Sequence, residues 1–327
     1  IVDTINYSGV KIFKQKDFYI SKIDQYLLIS NDKLLIENVL RGATFNKNQN
    51  FIEFKKLHLS KTKNISLNVS ENYKKVKFNR NDENISKYSN WIQYEFDLEN
   101  DDINILGISE RDKENRKINI LQSLNKSKSE ILNIIPNNFT FFKRMSFNKN
   151  VIDNNYNTFI NNENVQEKKL DSVFLEVKEI GEVNINGESI LIFDYENFNI
   201  EDYLKSFNQL TKYRGQTIYS GSNLNLSEFD VLDFKISKSF DYVTKINNFL
   251  ILSNDLNVIQ NLILNYNNRS LISQDENFIK FLEFIPNKTT YFEIVNNTDN
   301  EDNKGFPFWF SNYELKGNSN FKSLYTT

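Results

Sequence analysis

The spacing of apolar residues along this chain switches from strand-like to helix-like, and the same switch occurs twice. Short apolar or alternating runs rich in β-branched and aromatic residues predict strands over Gln216 to Tyr219, Val231 to Ile236, Tyr242 to Ile246 and Phe249 to Leu252. Leu256, Ile259, Leu262 and Ile263 then recur at helical spacing, as do Leu34, Leu35 and Val39 earlier in the chain. Ser253-Asn254-Asp255 and Ser30-Asn31-Asp32 stand where the period changes. A Ser or Asn side-chain oxygen can accept an orphan backbone N–H group, and an Asp in the first turn suits the positive end of a helix. A catalytic or phosphate-binding turn could use the same triplet, but capping alone requires these residue types at this place. Gly42 supplies a left-handed stop for the first helix.

The repetition extends well beyond the caps. Tyr7-Ser8-Gly9-Val10-Lys11-Ile12-Phe13 corresponds to Tyr213-Arg214-Gly215-Gln216-Thr217-Ile218-Tyr219, Tyr19 to Ile23 to Tyr242 to Ile246, and Tyr26 to Asn38 to Phe249 to Asn261. Phe51-Ile52-Glu53-Phe54 matches Phe278-Ile279-Lys280-Phe281, and Trp91 with Tyr94-Glu95 matches Trp309 with Tyr313-Glu314. The blocks keep their order while the gaps vary, as duplication of a module predicts. Asp24-Gln25 and Asn247-Asn248 fall between apolar runs where hairpin turns are expected.

Further helices are expected at Phe51 to Leu57 and Glu276 to Ile285, the second ended by Pro286. Strands return at Ile65 to Val69 and Thr290 to Val295, a hairpin joins Trp91 to Leu98 with Ile103 to Ser109, and Trp309 to Lys316 repeats its opening strand. Ile118 to Leu124, Glu130 to Ile135, Val151 to Val177 and Glu201 to Leu210 read as helical. Thr140 to Phe147 reads as a strand, and Val183 to Ile185 with Ser189 to Asp194 as a hairpin about Asn186-Gly187. These elements predict an α+β fold in which duplicated modules of antiparallel sheet pack with helices. Residues 1–126 are assigned to the C-terminal part of a first module and residues 127–327 to a nearly complete second, with the boundary near Ser127.

Length and charge are consistent with this. The 327 residues suffice for two domains, and the net charge of −3 comes from interspersed acidic and basic residues, so neither nucleic acid nor an anionic membrane surface is favoured as a partner. No apolar run reaches the length of a transmembrane helix. Abundant Asn, Ile, Lys and Phe reflect AT-rich codons. With no cysteine there can be no disulfide, thiolate zinc site or cysteine nucleophile. Ile1-Val2-Asp3-Thr4 carries neither an initiating Met nor a signal sequence, so the chain is expected to be trimmed.

Pro136-Asn137-Asn138 beside an apolar strand, Tyr213 to Tyr219, Phe249 to Asp255, and Trp309 with Tyr313-Glu314-Leu315-Lys316 together resemble a family of uncharacterised envelope proteins of the Bacteroidetes, many of them lipoproteins. The resemblance covers nearly the whole chain and its motifs are structural. It implies export to the periplasm or cell surface, association with the outer membrane through a lipid on a cysteine outside this chain, and a further domain beyond Thr327. It brings no catalytic residue.

Candidate chemistry is sparse. His58 is the sole histidine, which rules out a His-rich metal site, and no Gly-x-Ser-x-Gly accompanies it. Glycine-rich phosphate loops are missing. Asn296 to Gly305 offers hard oxygen ligands in Asp299, Glu301 and Asn303, as calcium prefers, but its glycine is one place late for an EF-hand loop and no bidentate Glu follows. Asp194, Glu196, Asp97, Glu99, Asp101 and Asp102 could furnish a carboxylate pair for glycoside hydrolysis. Trp91 and Trp309 could stack on sugars, although their equivalence in the repeat points to packing. Asn64-Ile65-Ser66, Asn287-Lys288-Thr289, Asp3-Thr4-Ile5 and Asp171-Ser172-Val173 match short glycosylation patterns. No catalytic, cofactor-binding or metal residue is assigned. The expected role is a non-enzymatic envelope scaffold whose partners are other envelope or outer-membrane proteins. The alternative is a glycan-binding or carbohydrate-active surface protein.

Overall fold

A computed structural model describes residues 3–24, 26–42, 65–70, 76–78, 81–83, 89–99, 102–110, 116–159, 170–223, 226, 229–231, 234–236, 239–297, 307–316 and 319–326. The chain divides into two compact units, Ile1–Lys56 and Leu57–Thr327.

The first unit is an antiparallel sheet of β1 (Asp3–Tyr7), β2 (Val10–Gln15), β3 (Phe18–Ile23) and β4 (Tyr26–Ser30), in that order, followed by helix α1 (Lys33–Leu40). Its turns explain the local sequence. Ser8 and Gly9 both take positive φ, at 52° and 83°, the primed geometry that matches strand twist, and Asp24 does so at 50°. Ile12 and Ile36 are its buried apolar residues among those described.

The second unit contains β5 (Ile65–Ser70), β6 (Val76–Phe78), β7 (Asn81–Glu83), β8 (Trp91–Glu99), β9 (Asp102–Glu110), β10 (Phe141–Ser146), α2 (Lys149–Phe159), β11 (Val177–Ile185), β12 (Glu188–Tyr195), α3 (Ile200–Leu204), β13 (Gln209–Tyr213) and β14 (Gln216–Ser220). It continues with β15 (Phe229–Val231), β16 (Phe234–Ile236), β17 (Tyr242–Ile246), β18 (Phe249–Ser253), α4 (Leu256–Asn268), α5 (Glu276–Phe284), β19 (Tyr291–Asn296), β20 (Phe308–Lys316) and β21 (Ser319–Thr326). Thirteen of its strands form one sheet in the order β13-β14-β17-β18-β12-β11-β10-β19-β20-β21-β9-β8-β5, and β15-β16 and β6-β7 are separate hairpins. Every pairing described is antiparallel. The α+β class is therefore as the sequence predicts. No helix among the described residues is long and apolar enough to cross a membrane.

Alternate residues of the central strands enter two cores, because successive side chains point to opposite faces. Leu250, Leu252, Leu191 and Phe193 join one core with Phe174, Ile200, Leu204 and Phe234. Phe249, Ile251, Ile190 and Ile192 join the other, with Val258, Ile259, Leu262 and Ile263 of α4 and Phe278 and Phe281 of α5.

The compact division lies elsewhere than the module boundary near Ser127. The hairpin β8–β9 is hydrogen-bonded into the 13-stranded sheet through β9 and β21, with Phe321 opposite Ile108 and Ser323 opposite Leu106. Ladder bonding thus groups β5, β8 and β9 with strands of residues 127–327, whereas the repeated letters group Trp91 and Tyr94-Glu95 with residues 1–56.

Several expected helices differ. Ile118 to Leu124 and Glu130 to Ile135 contain only 3-10 turns, at Lys117–Leu121 and Ile131–Asn133. These bury Ile118, Ile120, Leu121 and Ile131 in loops, so apolar content there reflects burial without helical period. The expected helix from Val151 ends as α2 at Phe159, and Val177 already opens a nine-residue strand. Glu201 to Leu210 holds one helical turn before β13 begins. Val231 to Ile236 is a hairpin of two short strands. The expected helix Phe51 to Leu57 lies outside the described residues.

Candidate functional site

The most concentrated chemistry lies where β10 and β12 end and β11 begins, beside a cleft of about 460 Å³ lined by Ser127, Lys128, Arg144, Lys178, Glu179 and Asp194 among others. Arg144 is fully buried. Its Nε donates to Glu179 Oε2 at 2.6 Å, its Nη1 to Ser146 Oγ at 2.9 Å and to the Thr289 carbonyl at 2.8 Å, and its Nη2 to Ser127 Oγ. Glu179 Oε1 accepts from the backbone N–H groups of Glu130 and Ile131, each at 2.8 Å. One carboxylate thus ties the start of a 3-10 turn to an arginine that also holds two loops. The fork geometry of guanidinium suits this bracing role.

Asp194 lies directly opposite Glu179 in the β11–β12 register, so the two carboxylates share a face. Asp194 is 1% exposed, and Lys178 Nζ approaches its Oδ2 at 3.2 Å. Burial, reinforced by the neighbouring Glu179 and opposed by Lys178, pushes the Asp194 carboxyl up to about 7. Glu179 is committed to protein donors, whereas Asp194 is a buried acid poised near neutrality.

The expected carboxylate candidates are scattered. Glu196 is exposed beyond the end of β12. Asp97 sits opposite Asn104 and Glu99 opposite Asp102 on the β8–β9 hairpin, and Asp101 lies outside the described residues. Trp91 is buried at 8% exposure, and Trp309 is half-buried opposite Val295 and Thr326. His58, Asn64 and most of Asn296 to Gly305 lie outside the described residues, and among those described no cluster of His, Cys, Asp or Glu could hold a metal ion. Arg144, Glu179 and Lys178 are not among the candidates that the sequence offers. The available signal was a charge inside an apolar strand, as in Phe141-Phe142-Lys143-Arg144-Met145 and Val177-Lys178-Glu179-Ile180.

The two Ser-Asn-Asp triplets are helix caps, with Asp as the N-cap residue. Asp32 Oδ1 accepts from Leu34 N at 2.8 Å, and Asp255 Oδ1 from Asn257 N at 2.7 Å and Val258 N at 3.2 Å. Ser30 Oγ accepts from Asp32 N, and Ser253 Oγ from Asp255 N.

A second candidate is a surface of the first unit. Phe13, Leu27 and Ile29 are 40%, 64% and 59% exposed, an apolar set on β2 and β4 linked across β3 by Ile20, which stands opposite both Phe13 and Ile29. Their counterparts in the repeat behave differently: Leu250 and Leu252 are fully buried and Tyr219 packs against the same core. Ile12 on the opposite face is buried, as is its counterpart Ile218. Among the described residues, Ile12 on one face of the four-stranded sheet is buried and Leu27 and Ile29 on the other are exposed, whereas Ile218 and Leu250, at the matching places of the later strands, are both buried. Comparison with protein-family models, curated proteins and solved structures finds nothing that matches this chain.

Proposed function

We propose that this protein is a non-enzymatic interaction scaffold of the cell envelope, built from a duplicated module whose first copy is incomplete within residues 1–126. The bare apolar face of Phe13, Leu27 and Ile29 carries this reading, because exposed contiguous apolar surface marks a place where another molecule packs. Duplication is supported by matching pairings: Ile12 faces Ser21 as Ile218 faces Thr244, and Tyr19 faces Ser30 as Tyr242 faces Ser253. Sheet order also agrees, β1-β2-β3-β4 against β13-β14-β17-β18. The envelope setting rests on the family resemblance, as do the proposed outer-membrane partners. Purification from native membranes tests the proposal: a complex larger than one chain is expected, dissociated by Leu27→Lys with Ile29→Lys, and recovery as a free monomer alone contradicts it.

A glycan-binding or carbohydrate-active reading draws on a different observation, the facing pair Glu179 and Asp194 beside a polar cleft. It requires a sugar whose binding or cleavage is lost in Asp194→Asn; a glycan screen with no Asp194-dependent signal removes it.

A further inference from the structure

The second copy contains three strands with no counterpart among the described strands of the first. There, β18 and β19 are joined across the sheet through β12, β11 and β10. In the first copy, the corresponding strands β4 and β5 each end a sheet. Among the described strands of the first copy, the element without a counterpart is the β10–β11–β12 meander.

We infer that the outer edge of β4, unpaired among the described strands, accepts an added antiparallel strand of the β12 kind from a partner protein. Three observations converge on it. In the second copy β12 pairs with β18 through Leu191 opposite Leu252, Ile192 opposite Ile251, Phe193 opposite Leu250 and Asp194 opposite Phe249. Carried over to the first copy, this sets an incoming strand with apolar residues opposite Ile29, Leu28 and Leu27 and its last residue opposite Tyr26. Every residue of β18 so paired is buried, and Leu27 and Ile29 are exposed by more than half.

The second observation is the chemistry of the edges. Sheet edges that face water are protected by charged residues. β1 and β13, the end strands corresponding to each other at the far side, carry Asp3 and Lys212. β4, Tyr26-Leu27-Leu28-Ile29-Ser30, carries no charge and no proline, and neither does β5. The two uncharged edges are those whose counterparts are paired.

Third, the bare face and the free edge belong to one strand. An added strand supplies ladder hydrogen bonds along the edge, and apolar side chains at alternate positions extend cover over Leu27 and Ile29, the division of labour seen in β-augmentation. The occupant is therefore an extended segment with apolar residues at consecutive paired positions.

This inference rests on the incomplete-module reading and is tested with a labelled synthetic peptide of residues 187–196, which contains β12, added to the full chain. The peptide is expected to bind and to protect the amides of residues 26–30 from exchange. Leu27→Lys with Ile29→Lys should weaken binding about tenfold or more. Leu175→Lys, an equally exposed apolar position elsewhere, should leave it unchanged, as circular dichroism confirms the fold of each variant. Equal binding by wild type and the double variant, or no binding at all, overturns the inference, as does amide protection of β4 already complete in the free chain. A dimer dissociated by the double variant also overturns it, because the edge is then filled by a second copy. If the peptide fails while a native complex still depends on Leu27 and Ile29, strand addition is wrong and the scaffold reading stands.

Discussion

Ser21 and Thr244 make the same hydrogen bond in separate parts of the chain: Ser21 Oγ donates to the Lys11 carbonyl at 2.9 Å, and Thr244 Oγ1 donates to the Thr217 carbonyl at 2.8 Å. Lys11 and Thr217 occupy matching places, two residues after Gly9 and Gly215. Both hydroxyls are buried in the third strand of a four-strand run, where an unpaired polar group is costly. Thr244→Val keeps the branched shape and removes the donor. A loss of about 1–2 kcal/mol is expected by urea denaturation; an unchanged midpoint contradicts the bond's role.

Arg144 is held by protein partners throughout, so its removal should affect stability before function. Arg144→Met leaves Glu179 buried without its cation and should cost about 3–5 kcal/mol. Adding Glu179→Gln should recover part of that loss, since the uncompensated charge is gone while the backbone N–H groups of Glu130 and Ile131 keep an acceptor. The same urea series reads both, and a double variant as unstable as the single one rules out the charge argument.

Asp194 makes stability depend on pH in a direction opposite to that of most carboxylates. Its folded-state value, near 7 against an ordinary 3.8, means that the native protein holds a proton that the unfolded chain has released. Its contribution to stability is therefore fully present below about pH 4 and is lost as pH rises towards 7. Asp194→Asn should remove this slope and stabilise the protein above neutrality. A urea midpoint profile between pH 4 and 8 decides the matter, with an identical slope in both proteins as the contrary result.

Leu27 and Leu250 share a place in the repeat and differ in environment, 64% exposed against fully buried. Leu27→Lys should change stability by less than about 0.5 kcal/mol. Leu250→Lys buries an added charge opposite Phe193 in the core and should prevent stable folding. Thermal unfolding of the two variants compares them directly, and equal damage contradicts the bare face.

The strand-and-cap architecture could be read from local chemistry. Asn247, Asp24 and Gly42 mark backbone with positive φ, and Asp32 and Asp255 mark helix starts, because turns and caps depend on residues adjacent in sequence. Apolar runs in loops were less informative: Ile118, Ile120 and Ile131 are buried without forming an α-helix. A charge inside an apolar strand marks Arg144 and Glu179 singly, but their pairing is not legible, since it joins residues 35 apart and a loop carbonyl at Thr289. Nor is the uncovered face, because Leu27 and Leu250 are the same residue in the same pattern. Only the neighbours brought by the fold separate them.

Amide hydrogen exchange along β4 and β18 tests the central claim, that β4 has an open edge where β18 is paired on both sides. An antiparallel strand bonded on one side leaves about half of its amides open to solvent. In the free chain, alternate amides of residues 26–30 should exchange as fast as those of open loops while those of β3 stay protected, and every amide of residues 249–253 should be slow. Full and equal protection of both strands would contradict the account.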